Sequence, residues 1–208
     1  LGELDAARIV LVPLVPPGLL DGVDPARAGI DRLPTLKESF EIIDDRSIAW
    51  TLSPFPTQQW ARVVYPELDD GAALEQLWHD VAHVCRLDEP DPAQAWHDRI
   101  EQIWQNARRL DELDLDALHF EGPGTDLTLG LFRGSRWVTA RFTTVDGIQH
   151  IANVPTEEVF TSPDPQRAEG VVRSTKPLVL ADGTIVRGLR MRFEGGRAVE
   201  IDADECGD

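Results

Sequence analysis

The sequence predicts an α+β protein, in which a partial α/β (βαβ) N-terminal piece with helices precedes a mostly antiparallel, curved β-sheet or partial barrel. Two observations support this fold class. Helical periodicity dominates the chain up to residue 114, and short strand-like runs with turn signals roughly every 8–12 residues follow it. The change in composition predicts two parts, residues 1–114 and residues 115–208.

The first part opens with a βαβ pattern. The apolar, β-branched run at residues 8–14 predicts a buried strand, and a second strand is predicted at residues 47–52. Between them, Asp24 followed by Pro25 predicts the start of a helical region that extends to about residue 43. Two strands joined through a helix favour parallel pairing. One such unit is too small for a sheet, so we expect the sequence to be a fragment.

Two amphipathic helices complete the first part. Asp69 and Asp70 precede one helix, and Asp91 with Pro92 opens another that extends to about residue 113. The apolar positions of the first are Leu74, Leu77, Trp78, Val81 and Val84. Those of the second are Ala95, Trp96, Ile100, Ile103, Trp104, Ala107 and Leu110. We interpret the tryptophans in both stripes as core packing rather than as cofactor contacts.

The second part is predicted to be almost entirely β. Its strands are predicted at residues 117–121, 126–131, 137–142, 149–154, 158–161, 170–174, 178–180, 188–193 and 197–204. The turn signals between them are Gly122-Pro123-Gly124, Arg133-Gly134, Asp146-Gly147, Asp182-Gly183 and Gly195-Gly196. Such short, closely spaced strands favour antiparallel hairpins.

Charge and cysteine usage exclude several classes of partner. The formal net charge of −17 argues against nucleic acid and anionic membranes, because both require a concentrated basic surface. Cys85 and Cys206 lie far apart and show no disulfide framework or zinc-finger spacing. Without a secretory leader or a long apolar run, these features predict a cytoplasmic protein.

His79 and His83 have the spacing of two zinc ligands on one helix face. Asp80 follows the first histidine where zinc peptidases have a glutamate, and no third ligand is evident. The apolar positions of this helix point to the other side. We therefore interpret the pair as part of a solvated helix face.

Residues 153–160, with the sequence Asn-Val-Pro-Thr-Glu-Glu-Val-Phe, form the candidate site segment. Two carboxylates within an apolar stretch predict burial, and buried carboxylates require a cation. In an extended segment Glu158 and Thr156 share one face, whereas Glu157 and Asn153 share the other. From the residues alone, Glu158 is either an ion-pair partner, for instance of Arg173 or Lys176, or a metal-binding or catalytic residue.

The order of motifs resembles the thermophilic-type metallo-aminopeptidases, the family of aminopeptidase T and aminopeptidase S. The matching segments are residues 60–66, 91–96, 119–131, 153–164 and 170–178. The resemblance spans nearly the whole chain and is strongest over residues 118–193. It implies an exopeptidase that removes N-terminal residues from peptide substrates with two divalent metal ions of the zinc, cobalt or magnesium class. It also implies a homodimer.

Within that resemblance, Glu158 is the metal ligand. Glu157, Thr156 and Asn153 are candidates for residues that orient this ligand without binding the metal themselves. The resemblance implies that the family's other ligands are a further glutamate and later histidine and aspartate residues. These ligands belong to a C-terminal half, which is expected to come after Asp208. We therefore expect a fragment that is inactive alone and binds no metal stably. The alternative is a stand-alone, non-catalytic interaction module derived from the family, in which Glu158 pairs with an arginine or lysine.

Overall fold

The structure is a computed structural model that describes residues 6–14, 22–23, 37–180 and 184–206. In chain order, the described elements are β1 (Ala7–Val12), α1 (Lys37–Asp44), β2 (Ala49–Pro54), α2 (Gln58–Val64), α3 (Asp70–Val84), α4 (Pro92–Glu112), β3 (Ala117–Gly122), β4 (Thr125–Leu131), β5 (Val138–Thr139), β6 (Arg141–Thr143), β7 (Gln149–Ile151), β8 (Val159–Phe160), β9 (Pro163–Arg173), β10 (Leu178–Val179), β11 (Ile185–Arg187), β12 (Arg190–Glu194), β13 (Arg197–Asp202) and β14 (Glu205–Cys206). The predicted α+β class is confirmed.

The chain divides into two compact units. The first contains the described residues of Leu1–Pro16, Leu33–Ala107 and Val138–Val159, and the second those of Pro17–Arg32, Arg108–Trp137 and Phe160–Asp208. The sequence-based division at residue 115 assigns the candidate segment to the β-rich part. In the structure, most of that segment belongs to the first unit.

The first unit contains the predicted parallel pair. β1 pairs with β2 from Ala7–Ala49 to Val12–Pro54, and α1 precedes β2. The helix start predicted at Asp24 lies outside the described residues. The prediction that β1 is buried is wrong, because Ile9 is 71% exposed. Within the described part of the chain, β1 has only β2 as a ladder partner.

Helices α2 and α3 pack together through small and branched side chains. Asp69 caps α3 by accepting hydrogen bonds from the N–H groups of Gly71 and Ala72. Their buried cluster consists of Ala61, Ala73, Leu77, Val81 and Cys85. The buried apolar face of α3 is narrower than the sequence predicts, because Trp78 is 44% exposed and Val84 is 52% exposed. Helix α4 buries Trp96, Ile100, Ile103 and Ala107.

The remaining strands of the first unit are short. β6 and β7 form an antiparallel hairpin, and its turn is closed by a 3.0 Å hydrogen bond from the N–H of Gly147 to the carbonyl of Thr144. The single strand predicted at residues 137–142 is two strands, because Ala140 interrupts it. Phe142 and His150 on this hairpin stack with ring centroids 6.1 Å apart, and Trp50 of β2 lies 6.2 Å from Phe142.

The second unit is built on an open antiparallel sheet with the strand order β13-β12-β9-β4-β3. Register shifts at Leu129/Leu131 and at Arg192/Phe193 interrupt two of its ladders, as bulges do in curved sheets. Gly170 in β9 has φ +113°, and a Cβ there would lie 2.1 Å from the carbonyl oxygen of Asp126. The close approach of β4 and β9 therefore requires glycine.

Two of the predicted hairpin turns connect neighbouring strands of this sheet. The structure also contains a smaller sheet that the sequence did not predict. Pro123-Gly124 joins β3 to β4, and Gly195-Gly196 joins β12 to β13. β10, β11 and β14 form a three-stranded sheet. The turn predicted at residues 182–183 lies outside the described residues. Across the described helices, the structure contains none that is both long and apolar enough to cross a membrane.

Candidate functional site

The candidate segment follows β7 and is held beside β2. The N–H of Leu52 donates to the carbonyl of Ala152 at 2.8 Å, and the N–H of Val154 donates to the carbonyl of Leu52 at 2.9 Å. The Val154–Pro155 peptide is cis, and the amide of Asn153 donates to the carbonyl of Pro155 at 3.2 Å. Residues 154–158 are not a strand. The alternation of faces assumed from an extended chain therefore does not apply.

Glu157 forms the ion pair of this segment. The Nε of Arg99 donates to Oε2 of Glu157 at 2.7 Å, and an Nη of the same guanidinium donates to the same oxygen. Nη2 of Arg86 lies 3.4 Å from the other carboxylate oxygen. These hydrogen bonds, chiefly the one from Arg99, hold the pKa of Glu157 below its usual value. Arg99 of α4 and Arg86, which follows the end of α3, thus fix one carboxylate of the segment.

The two arginines are themselves held in place. Arg86 follows the end of α3, and its guanidinium lies over the ring of Trp96 at 5.5 Å from the centroid. The indole N–H of Trp96 donates to the carbonyl of Cys85 at 2.8 Å. Arg99, on α4, also donates to the side-chain oxygen of Gln102 at 3.1 Å. Both guanidinium groups are therefore held by contacts with the helices in addition to their contacts with Glu157.

Glu158 differs from its neighbour in every one of these respects. It is exposed, and its carboxylate makes no ion pair or hydrogen bond with any described residue. The expectation that both carboxylates are buried is wrong, because the segment leaves the sheet after Val154 and turns them outward. Arg173, which was considered as a partner of Glu158, forms an ion pair with Asp204 at 2.8 Å.

Thr156 is the buried residue of the segment. Its side chain is 4% exposed, and its hydroxyl has no hydrogen-bond partner within the described structure. Its burial, together with the backbone hydrogen bonds of Ala152 and Val154 to Leu52, holds the chain on the N-terminal side of the two glutamates. The segment therefore combines an anchored backbone, one fixed carboxylate and one free carboxylate.

No group of three or more histidine, cysteine, aspartate or glutamate side chains suited to a metal ion occurs among the described residues. His79 and His83 are 77% and 71% exposed, and each lies beside an aspartate, Asp80 and Asp88 respectively. Their interpretation as a solvated helix face is confirmed. At the candidate segment, Glu158 supplies one carboxylate donor suited to a divalent cation, and the described residues do not complete a site around it.

An apolar groove of about 640 Å³ borders the same segment. It lies at the carboxyl ends of β1 and β2 and against α2 and α3, and Asn153, Val154 and Pro155 form one side of it. Among the described residues, Asp80 is the only titratable one in its lining. The hydroxyl of Tyr65 donates to Asp80 and thereby lowers the pKa of that carboxyl.

Sequence reasoning missed the contribution of Arg86 and Arg99. Arg99 is 58 residues from Glu157, and nothing in the spacing of either arginine marks it as a partner of the segment. The structure places His150 in an aromatic cluster, with both ring nitrogens buried and without a hydrogen-bond partner among the described residues.

Comparison with known proteins gives a consistent result. The family model described as thermophilic metalloprotease (M29) matches residues 2–208. Aminopeptidase T of Thermus aquaticus is 40% identical over 196 residues, which cover 91% of this chain and 47% of that protein. Aminopeptidase AmpS of Bacillus subtilis is 33% identical over 204 residues, which cover 97% of this chain and 50% of that protein.

A solved structure, wild-type AmpT from Thermus thermophilus, matches with a TM-score of 0.87 and 36% identity. The match covers 98% of this chain and 50% of that one. The chain thus spans about half the length of the curated relatives that it matches. The match of the family model over nearly every residue, together with this shared fold, shows that the chain belongs to the thermophilic metalloprotease (M29) family.

Proposed function

We propose that this chain is part of a metal-dependent aminopeptidase that removes N-terminal residues from peptides. Its family and the aminopeptidase names of its relatives support this activity. The contrast between two adjacent carboxylates supports the assignment of a specific residue as a metal ligand. Glu157 is occupied by Arg99 and Arg86, whereas Glu158 is exposed and free to bind a cation.

In this proposal Glu158 is a metal ligand, and its neighbours position it. The pair with Arg99 fixes the backbone directly before Glu158, so that the free carboxylate samples fewer orientations. Thr156 is buried, and Asn153 bonds the carbonyl of Pro155, so both hold the other end of the segment. A ligand held in this way loses less conformational entropy on binding than one on a loose loop.

The proposed cofactors are two divalent ions of the zinc, cobalt or magnesium class. Each ion requires several donors, and Glu158 supplies a single carboxylate. The other donors would come from the half of the relatives' length that this chain does not match. The chain by itself is accordingly proposed to be inactive. A cytoplasmic location and a homodimer belong to the same proposal, and the buried free thiol of Cys85 supports a reducing compartment.

The experiment that tests this proposal is a peptide-hydrolysis assay on the intact gene product. Release of N-terminal amino acids is measured after chelation of metals and after addition of zinc, cobalt or magnesium. We expect metal-dependent release that Glu158→Gln abolishes. Glu75→Gln is the matched control, because Glu75 is an exposed glutamate of α3 without an ion pair among the described residues, and this variant should keep full activity.

Two outcomes would contradict the proposal. Absence of release from peptides with every metal would favour a non-catalytic interaction module. Release by the 208-residue chain alone would contradict its proposed inactivity.

A further inference from the structure

A polar cavity of about 350 Å³ opens within the second unit. It lies between the end of α4, the loop that follows β4 and the first residues of β9. Its volume is within the range of small-molecule binding sites in proteins. Charged side chains of both signs line it, which distinguishes it from the apolar groove of the first unit.

Part of this charge is already used to build the cavity wall. Nη1 of Arg167 donates to Oδ1 of Asp116 at 3.0 Å. Oδ1 of Asp111 accepts a 2.9 Å hydrogen bond from the backbone N–H of Trp137. Oδ1 of Asp164 accepts the backbone N–H two residues further along the chain, also at 2.9 Å. These contacts fix the surrounding backbone and hold Arg167 and Asp116 in an ion pair, whereas Asp111 and Asp164 each use one carboxylate oxygen.

Three charged side chains of the lining are uncommitted. The guanidinium groups of Arg133 and Arg136 and the carboxylate of Asp114 make no ion pair or hydrogen bond with the residues that the structure describes. The loop that bears the arginines is nevertheless held. Ser135 donates to the carbonyl of Ser162 at 2.9 Å, and the carbonyl of Arg136 accepts from the hydroxyl of Thr161 at 2.9 Å.

We propose that this cavity binds a small zwitterion, an α-amino acid. The carboxylate of the ligand would lie against Arg133 and Arg136, whose planar guanidinium groups match carboxylate geometry. Its ammonium group would lie against Asp114. A simple anion would leave Asp114 without a partner, and a simple cation would be repelled by both arginines. The proposal does not depend on a metal role for Glu158.

The test is isothermal titration calorimetry of the intact protein with L-alanine. The protein is stripped of metal and carries Glu158→Gln, so that binding through metal ions does not contribute. We expect L-alanine to bind, and acetate and methylammonium, which each present one half of the zwitterion, to bind more weakly. The double variant Arg133→Ala/Arg136→Ala should weaken L-alanine binding about 10- to 100-fold.

Arg197→Ala is the matched control, because Arg197 is an exposed arginine of β13 outside the cavity lining, and this variant should bind as the parent does. Asp114→Asn should weaken L-alanine binding and should not weaken acetate binding, because the variant removes a like charge from beside the anion. Absence of L-alanine binding, equal binding by the double arginine variant with an unchanged melting temperature, or acetate binding as tight as that of L-alanine would each overturn the proposal. None of these results would alter the peptide-hydrolysis test.

Discussion

The guanidinium of Arg99 on α4 donates to the carboxylate of Glu157, with Nε 2.7 Å from Oε2, and so joins two residues that are 58 positions apart in the sequence. This contact ties the candidate segment to α4, the longest of the described helices. It also separates two adjacent glutamates into one that is structurally engaged and one that is free. The division of roles between Glu157 and Glu158 rests on it.

Replacement of Arg99 tests the strength of this contact. Arg99→Ala should lower the free energy of unfolding by about 0.5–1 kcal/mol, because the pair is partly exposed and solvent weakens its attraction. Denaturant unfolding measures this value. Arg109→Ala, a change in an exposed arginine of the same helix, should stay within about 0.5 kcal/mol of the parent. Equal effects of the two substitutions would show that the Arg99–Glu157 pair contributes nothing specific.

The packing of α2 against α3 gives a second prediction. Leu77 is 4% exposed within the cluster of Ala61, Ala73, Val81 and Cys85. Leu77→Ala should destabilise the protein by about 2–5 kcal/mol, because it removes buried apolar atoms and leaves a cavity. Leu87→Ala is the control, since Leu87 is 59% exposed and its truncation should cost no more than about 0.5 kcal/mol. Thermal or denaturant unfolding distinguishes the two variants.

The burial of His150 predicts a dependence of stability on pH. Desolvation in the cluster with Phe142 and Trp50 lowers the pKa of His150 below its value in the unfolded chain, which is about 6.5. The unfolded state therefore binds the proton more readily than the folded state. The contribution of His150 to stability is present above about pH 6.5 and is lost as the pH falls toward the folded pKa.

The measurement compares the free energy of unfolding at about pH 7.5 and about pH 5 for the parent and for His150→Phe. We expect the parent to lose more stability on acidification than the variant, because phenylalanine keeps the stacking and removes the titrating group. Comparison of the two proteins cancels the other titrating groups, including His83, whose pKa is raised by Asp88. The same loss in both proteins would show that His150 is not protonated differently in the two states.

Local patterns predicted most of the fold. The continuous apolar run of β1, the Asp69 cap of α3 and the periodic stripe of α4 each correspond to an observed element. The strands β11 and β14, which are three and two residues long, were missed. The exposure of β1 was missed for another reason, since an apolar run does not show which of its faces another element covers.

The candidate segment was found through its residue pattern and family resemblance, but its internal arrangement was not. Strand alternation assigned faces to Glu157 and Glu158 on the assumption that residues 153–160 are extended. That assumption was wrong between Val154 and Glu158, where the chain leaves the sheet. The partner of Glu157 depends on the packing of α4, a tertiary relationship that local spacing does not encode.

The most direct test of the account is a metal titration of the intact protein by calorimetry. Loss of a residue that only supports a metal ligand weakens metal binding by about 10- to 100-fold. If Glu158 is itself a ligand, Glu158→Gln should weaken divalent metal binding by more than that. Glu75→Gln should leave the affinity unchanged. Equal metal affinity and stoichiometry in the parent and in Glu158→Gln would contradict the assignment of Glu158 as a ligand.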